Sequence, residues 1–245
     1  MTSPAKAHFQ RAVAAIEAAG AGNTMRDATG YELMLAKLSA DRRRLKQVQS
    51  IERKIVIKRE ELLPEYVAYI DGVLAAGRGA QDDVLMSVMV WRVDAGDIAG
   101  ALAIARYALQ HKLTMPDQYE RTTACLIAEE IAESALAASG NDQSVDATIL
   151  HEVAALVADE DMPDEVRAKL HKAIGYALEK ADPAEALTHL NRALQLHDKC
   201  GVKKDIERIE REMRKAAAVN APPTGEATHE SPPTGEPKDT PPAGG

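Results

Sequence analysis

The sequence predicts an all-α fold on three observations. Hydrophobic residues make up 45% of the chain but aromatic residues only 3%, so alanine and leucine must do the packing, which suits helices better than sheets. Apolar residues recur at three- and four-residue spacing along most of the chain. Fifteen glycines in 245 residues leave little punctuation for a series of β-hairpins. A chain of this length holds one or two domains and a substantial core.

Taken in order, residues 3–19 form a first helical pattern with Phe9, Val13 and Ile16 on one side, stopped by Gly20-Ala21-Gly22-Asn23. A second helical run starts at Asp27 or Thr29 and continues to Leu63, where Pro64 is expected to break it. Within it Leu35, Leu38, Leu45, Val48 and Ile55 lie near heptad spacing, interrupted by Asp41 and Glu52, as in a long helix or helical hairpin. Tyr66, Val67, Ile70, Val73 and Leu74 then mark a short helix ending at Gly77-Arg78-Gly79.

The stretch Gly79–Pro116 reads as two helices joined by a tight Asp94-Ala95-Gly96-Asp97 turn. Val84, Val88 and Trp91 line the first helix; Ala101, Leu102, Ala105, Ala108 and Leu109 line the second, and Asp97 is placed to cap it. A stripe rich in alanine lets two helices approach closely, as in a packed helical hairpin. Further helices begin near Tyr119, near Val145 and at Pro163, the last with Asp164 and Glu165 in its first turn.

Asp182-Pro183-Ala184-Glu185 combines a capping Asp, a first-turn Pro and a capping-box Glu. Ala186, Leu187, Leu190, Ala193 and Leu194 repeat the earlier stripe, and Trp91 and Tyr176 fall at matching positions in the preceding helices. The two units are tetratricopeptide-like hairpins, 85 residues apart and without complete repeats. A charged helix from Lys203 to about Lys215 carries Ile206, Ile209 and Met213 on one narrow stripe. From Ala216 the composition collapses into Pro, Gly, Thr and Glu, with PPTGE at Pro222 and again at Pro232, and reads as a disordered, solubilising tail. The resulting division is a basic helical region over 1–63, an all-α body over 64–215 and a tail over 216–245.

Charge is unevenly spread. The net charge of -8 divides into 12 Lys+Arg against 7 Asp+Glu through Leu63, and 18 against 31 beyond it. Between positions 37 and 59, Lys37, Arg42, Arg43, Arg44, Lys46, Arg53, Lys54, Lys58 and Arg59 are opposed only by Asp41 and Glu52. Such a run either binds nucleic-acid phosphates by releasing counterions or is a solvated helix face.

Other chemistry finds little support. Gly77-Arg78-Gly79 lacks the Lys-Ser/Thr and the preceding strand of a phosphate loop. Asp82, Asp83, Asp94, Asp97, Glu129 and Glu130 are the carboxylates a metal-dependent nuclease could use, but the first four sit where helix caps are needed and the last two on a mid-helix face. His171, His189 and His197 offer no His-x-x-x-His or Cys-x-x-Cys spacing, so neither a catalytic centre nor a metal or cofactor site is assigned. Cys125 and Cys200 are read as free thiols in a reducing, cytoplasmic compartment, with no apolar run of membrane-spanning length.

The Gly79–Pro116 stretch resembles the phage small terminase subunit family of the gpM type, whose members are often labelled "terminase endonuclease subunit". The resemblance extends to YELMLAKLSAD from Tyr31, REELLP from Arg59, MPDEVRAKLHK from Met162 and GVKKDIERIERE from Gly201, in one order across Tyr31 to about Glu212. It implies recognition of the packaging-start (cos-type) site on double-stranded viral DNA in the host cytoplasm. It also implies recruitment of a large terminase subunit carrying the ATPase and nuclease, and a homo-oligomer, a ring by analogy. The tail holds only Lys238 as a cation, so the DNA role falls on residues 37–59. Two other readings stay open: that the chain is itself the endonuclease cutting cos, and that it is a tetratricopeptide-like adaptor.

Overall fold

The structure is a computed structural model that describes residues 28–220 except 118, 142 and 144, together with residues 4, 8 and 10–12. It is all-helical, with ten α-helices and no strand among the described residues. The expectations for Phe9, Val13 and Ile16, and for the tail beyond 220, lie outside them.

The predicted run up to Leu63 is two helices, α1 (Ala28–Gln47) and α2 (Ile51–Ile57), separated by three residues. Ser50 starts α2 by accepting the Arg53 N–H at 3.2 Å. Pro64 does not end the run as predicted. The helix passes from α2 through a π-turn at Lys58–Leu62 into α3 (Leu63–Ala76), with the Leu63 N–H bonded to Lys58 O. Proline lacks an N–H and crowds the preceding turn; the wider π-turn takes up both defects without breaking the helix. Gly77, at φ 62°, then terminates α3 as expected.

Helices α4 (Asp83–Asp94) and α5 (Ile98–Gln110) form the predicted hairpin. Asp97 caps α5, accepting the Gly100 N–H at 3.0 Å. This hairpin is the centre of the core: Val84, Leu85, Met86, Val88 and Met89 on one side and Ala101, Ile104, Ala105 and Ala108 on the other are fully buried. Trp91 stacks edge-on against Tyr66 of α3 at 5.8 Å. Met34, Leu38 and Leu45 from α1 and Ile57 and Leu62 from the α2–π-turn segment bury into the same core.

Helix α6 (Thr123–Gly140) starts four residues later than predicted, with Thr122 as its cap. It is followed by α7 (Ala147–Leu156), α8 (Asp164–Leu178), α9 (Pro183–Leu196) and α10 (Lys203–Asn220). The second hairpin, α8–α9, is the most extensive helix pairing in the molecule. A Cβ at Gly175 would stand 2.7 Å from the Leu190 side chain, so glycine sets how closely these helices approach. Tyr176, equivalent to Trp91 in sequence, is not sunk in the core; its hydroxyl donates to Asp205 at 2.9 Å and fastens α10. Leu190, Val202, Ile206 and Ile209 form a small second core under α10, which runs five residues past Lys215. No described helix is long and apolar enough to cross a membrane.

Candidate nucleic-acid interface

The nine predicted cations occupy α1, α2 and the π-turn, and the fold sorts them into two sets. Five are engaged within the chain. Lys37 reaches Asp41 at 2.7 Å and Glu65 at 3.0 Å and lies over the Tyr66 ring. Arg42 donates to the buried Ser87 Oγ at 2.5 Å. Arg44 pairs with Glu61, and Lys58 with Asp94. Arg59 donates twice to Ala95 O, at 3.0 and 2.6 Å. These groups fasten α1 to α3, to α4 and to the π-turn, and the π-turn to the α4–α5 turn.

The other four are Arg43, Lys46, Arg53 and Lys54. Arg43, Lys46 and Arg53 are exposed and Lys54 half-buried. Among the described residues, Arg43 donates only to Ser39 O of its own helix, through Nε at 3.3 Å. The side chains of Lys46, Arg53 and Lys54 make no hydrogen bond or ion pair among the described residues. All four flank the three-residue α1–α2 connection, two near the end of α1 and two in the first turn of α2. Over residues 43–54 the only acid is Glu52, so the corner is strongly cationic in an acidic chain. Two of the four large apolar side chains most exposed in the described structure, Ile51 and Val56, lie beside it in sequence.

The carboxylates weighed as nuclease ligands are tied up structurally. Asp82, 6% exposed, caps α4 by accepting the Leu85 N–H at 2.8 Å and accepts a hydrogen bond from the Tyr69 hydroxyl at 2.6 Å. Burial holds its carboxyl above the ordinary carboxylate range despite those bonds. Asp83 accepts from Gln81 at 3.2 Å, Asp94 pairs with Lys58, and Asp97 caps α5. Glu129 is bridged by Arg121 at 2.6 Å and Lys169 at 2.8 Å, and Arg121 also reaches Glu130 at 3.4 Å. Burial, with Glu133 nearby, raises the Glu130 carboxyl. Cys125 and Cys200 are free thiols lining one cleft of about 470 Å³ between α6 and α8.

Among the described residues, one group brings three metal-ligating side chains within reach of one another: His151, Glu185 and His189. Glu185 is not the capping-box residue the sequence suggested. Asp182 caps α9 through the Glu185 N–H at 2.9 Å, while the Glu185 carboxylate turns to the two histidines. His171 stands behind His189; burial and the neighbouring His189 ring lower it to about 4. Burial likewise lowers His189. The Glu185–His189 spacing is legible in the sequence, but His151 comes from another helix 34 residues away, and no local pattern links them.

Comparison with known proteins adds a lineage. A family model described as phage small terminase subunit matches residues 35–165. The chain is 53% identical over 215 residues, 87% of each chain, to the "terminase, endonuclease subunit" of Escherichia phage P2. It is 26% identical over 192 residues to the "probable terminase, endonuclease subunit" of Haemophilus phage HP1 (strain HP1c1), covering 73% of this chain and 68% of that one. No solved structure matches the chain.

Proposed function

The chain belongs to the phage small terminase subunit family, and on that premise we propose that it binds the packaging-start (cos-type) site of viral DNA through the α1–α2 corner. The observation that carries the reading is the sorting of the cations. Arg43, Lys46, Arg53 and Lys54 keep their side chains out of the ion-pair network that absorbs their neighbours. Surface cations without local partners are the groups that can neutralise phosphates and release counterions. They fix the protein on the duplex; which bases are read is a separate matter of edge contacts.

In this reading the chain recruits a large terminase subunit that carries the ATPase and nuclease, and acts as a homo-oligomer in the host cytoplasm. The word endonuclease in the relatives' names is then a property of the assembly. Supporting that division of labour, the acids that a nuclease centre would draw on here are caps or ion-pair partners, apart from Asp83, which accepts from Gln81. Repeated copies around a ring would multiply four weak phosphate contacts per chain into a tight attachment.

The test is binding of the purified full chain to a cos-containing duplex and a scrambled one of equal length, with Mg²⁺ present and the products run for cleavage. Preferential binding to the cos duplex without cutting, and cutting only after the large subunit is added, is the expected result. Equal binding to both duplexes would remove the recognition claim. Cutting by the chain alone would make it the nuclease.

A further inference from the structure

His151 of α7 and His189 of α9 meet edge to face, ring centroids 5.4 Å apart at 79°. The Glu185 carboxylate lies 3.6 Å from His151 Nε2 and 3.9 Å from His189 Nε2, one helical turn before His189 on α9. His171 of α8 closes the group from behind, its Nδ1 2.9 Å from His189 Nδ1. We propose that His151, Glu185 and His189 form a binding site for a divalent transition-metal ion of the zinc class, with His171 as the residue that orients His189. This inference is independent of the DNA-binding reading.

The geometry fits the chemistry. Bonds of about 2.0–2.2 Å to nitrogen and oxygen place the ligands of a tetrahedral zinc ion roughly 3.3 Å apart. The three ligand atoms already lie within 4.8 Å of one another, and the two Glu185 distances are close to the required spacing. Small side-chain rotations complete the closure. Two imidazole nitrogens with one carboxylate select zinc-class ions over Mg²⁺ or Ca²⁺, which take oxygen-rich shells.

The fourth histidine strengthens the assignment. Two imidazole nitrogens at 2.9 Å must share one proton, one donating and the other accepting. With the proton on His189 Nδ1, the Nε2 lone pair faces Glu185 and His151, as a ligand's does when a second residue holds its far nitrogen. The side chains of His151 and Glu185 are 39% and 45% exposed and that of His189 16%, so an ion reaches the site from solvent. Bound there, it would link α7 to α9 with α8 buttressing the pair. Three protein ligands leave one position for water or for a side chain of a partner protein.

The full chain, stripped with chelator and dialysed, would be titrated with zinc chloride by calorimetry, with melting followed in parallel. One zinc per chain and a raised melting temperature are expected. His151→Ala and His189→Ala should each weaken uptake at least about 100-fold, and His171→Ala roughly 10- to 100-fold. His197→Ala, outside the group, should leave uptake unchanged. Glu185→Gln is isosteric and solvent-exposed, so its loss of affinity reads ligation and not folding. Cobalt loaded into the unmodified chain gives a second readout that needs no variant: intense visible bands of four-coordinate cobalt are expected. No uptake of zinc by the unmodified chain, uptake that survives both His151→Ala and Glu185→Gln, or only the weak bands of octahedral cobalt would overturn the proposal.

Discussion

Lys58 and Arg59 end on the turn between α4 and α5, on Asp94 and on Ala95 O, whereas Arg53 and Lys54, one helical turn earlier on the same run, have side chains with no partner among the described residues. On α1 the same contrast separates Arg42, bonded to buried Ser87, and Arg44, paired with Glu61, from Arg43 between them. Adjacent residues of one type thus carry different work: one set holds the N-terminal helices to the body, the other remains available to a ligand. The lesson is that a basic run is not a unit. A substitution that treats it as one, such as Arg42/Arg43/Arg44→Ala, would loosen the fold and remove a phosphate contact together, and its DNA-binding loss would have two causes.

The contrast can be broken most forcefully from the inward side. Asp82→Ala removes the α4 cap and the hydrogen bond that the Tyr69 hydroxyl donates to Asp82. The lost cap and the lost Tyr69 bond together should cost about 2 kcal/mol in urea unfolding. The refolded fraction should bind DNA as the unaltered chain does, which a DNA-binding role for Asp82 would not allow. Arg59→Ala comes next. Losing two charge-assisted bonds to Ala95 O on a partly solvated group should destabilise by about 1–2 kcal/mol, again with the DNA affinity of the folded protein kept.

A smaller effect follows from the Asp82 carboxyl. Its folded pKa is raised, so between the ordinary carboxylate value and the folded value the native state binds the proton that the unfolded chain has released. The contribution is therefore present at low pH and lost as pH rises through that window. Asp82→Asn keeps a capping oxygen and does not titrate. The stability of the original chain minus that of Asp82→Asn should accordingly decline as pH is raised from about 4, in urea midpoints measured across that range. A difference that grows with pH would contradict the burial argument.

Helix identity, both hairpins and their Asp97 and Asp182 caps were legible because capping, proline placement and alanine stripes act over a few residues. Pro64 misled because its usual effect is local, while the π-turn that accommodates it is held by core contacts of Leu62 and Leu63. Trp91 and Tyr176 matched in sequence but not in burial, since α3 covers one and α10 binds the other. The basic run was legible as composition and not as a surface, because the partners Ser87, Asp94 and Ala95 arrive from α4 and its turn, 36 or more residues further along. The His151–Glu185–His189 group was hidden for the same reason: the Glu185–His189 spacing lies within one helix, but His151 reaches them from another that no spacing rule joins to it.

The measurement that bears most directly on the account is the salt dependence of DNA affinity for the unaltered chain and for the outward variant Arg43/Lys46/Arg53/Lys54→Ala, with melting recorded for both. At about 0.9 per neutralised phosphate, four lost contacts should flatten the slope of log affinity against log salt by roughly three to four. Surface substitutions of this kind should move stability by no more than about 0.5 kcal/mol each. A flattened slope with an intact fold is the predicted result. An unchanged slope in a variant that is still folded would mean that the α1–α2 corner does not meet DNA.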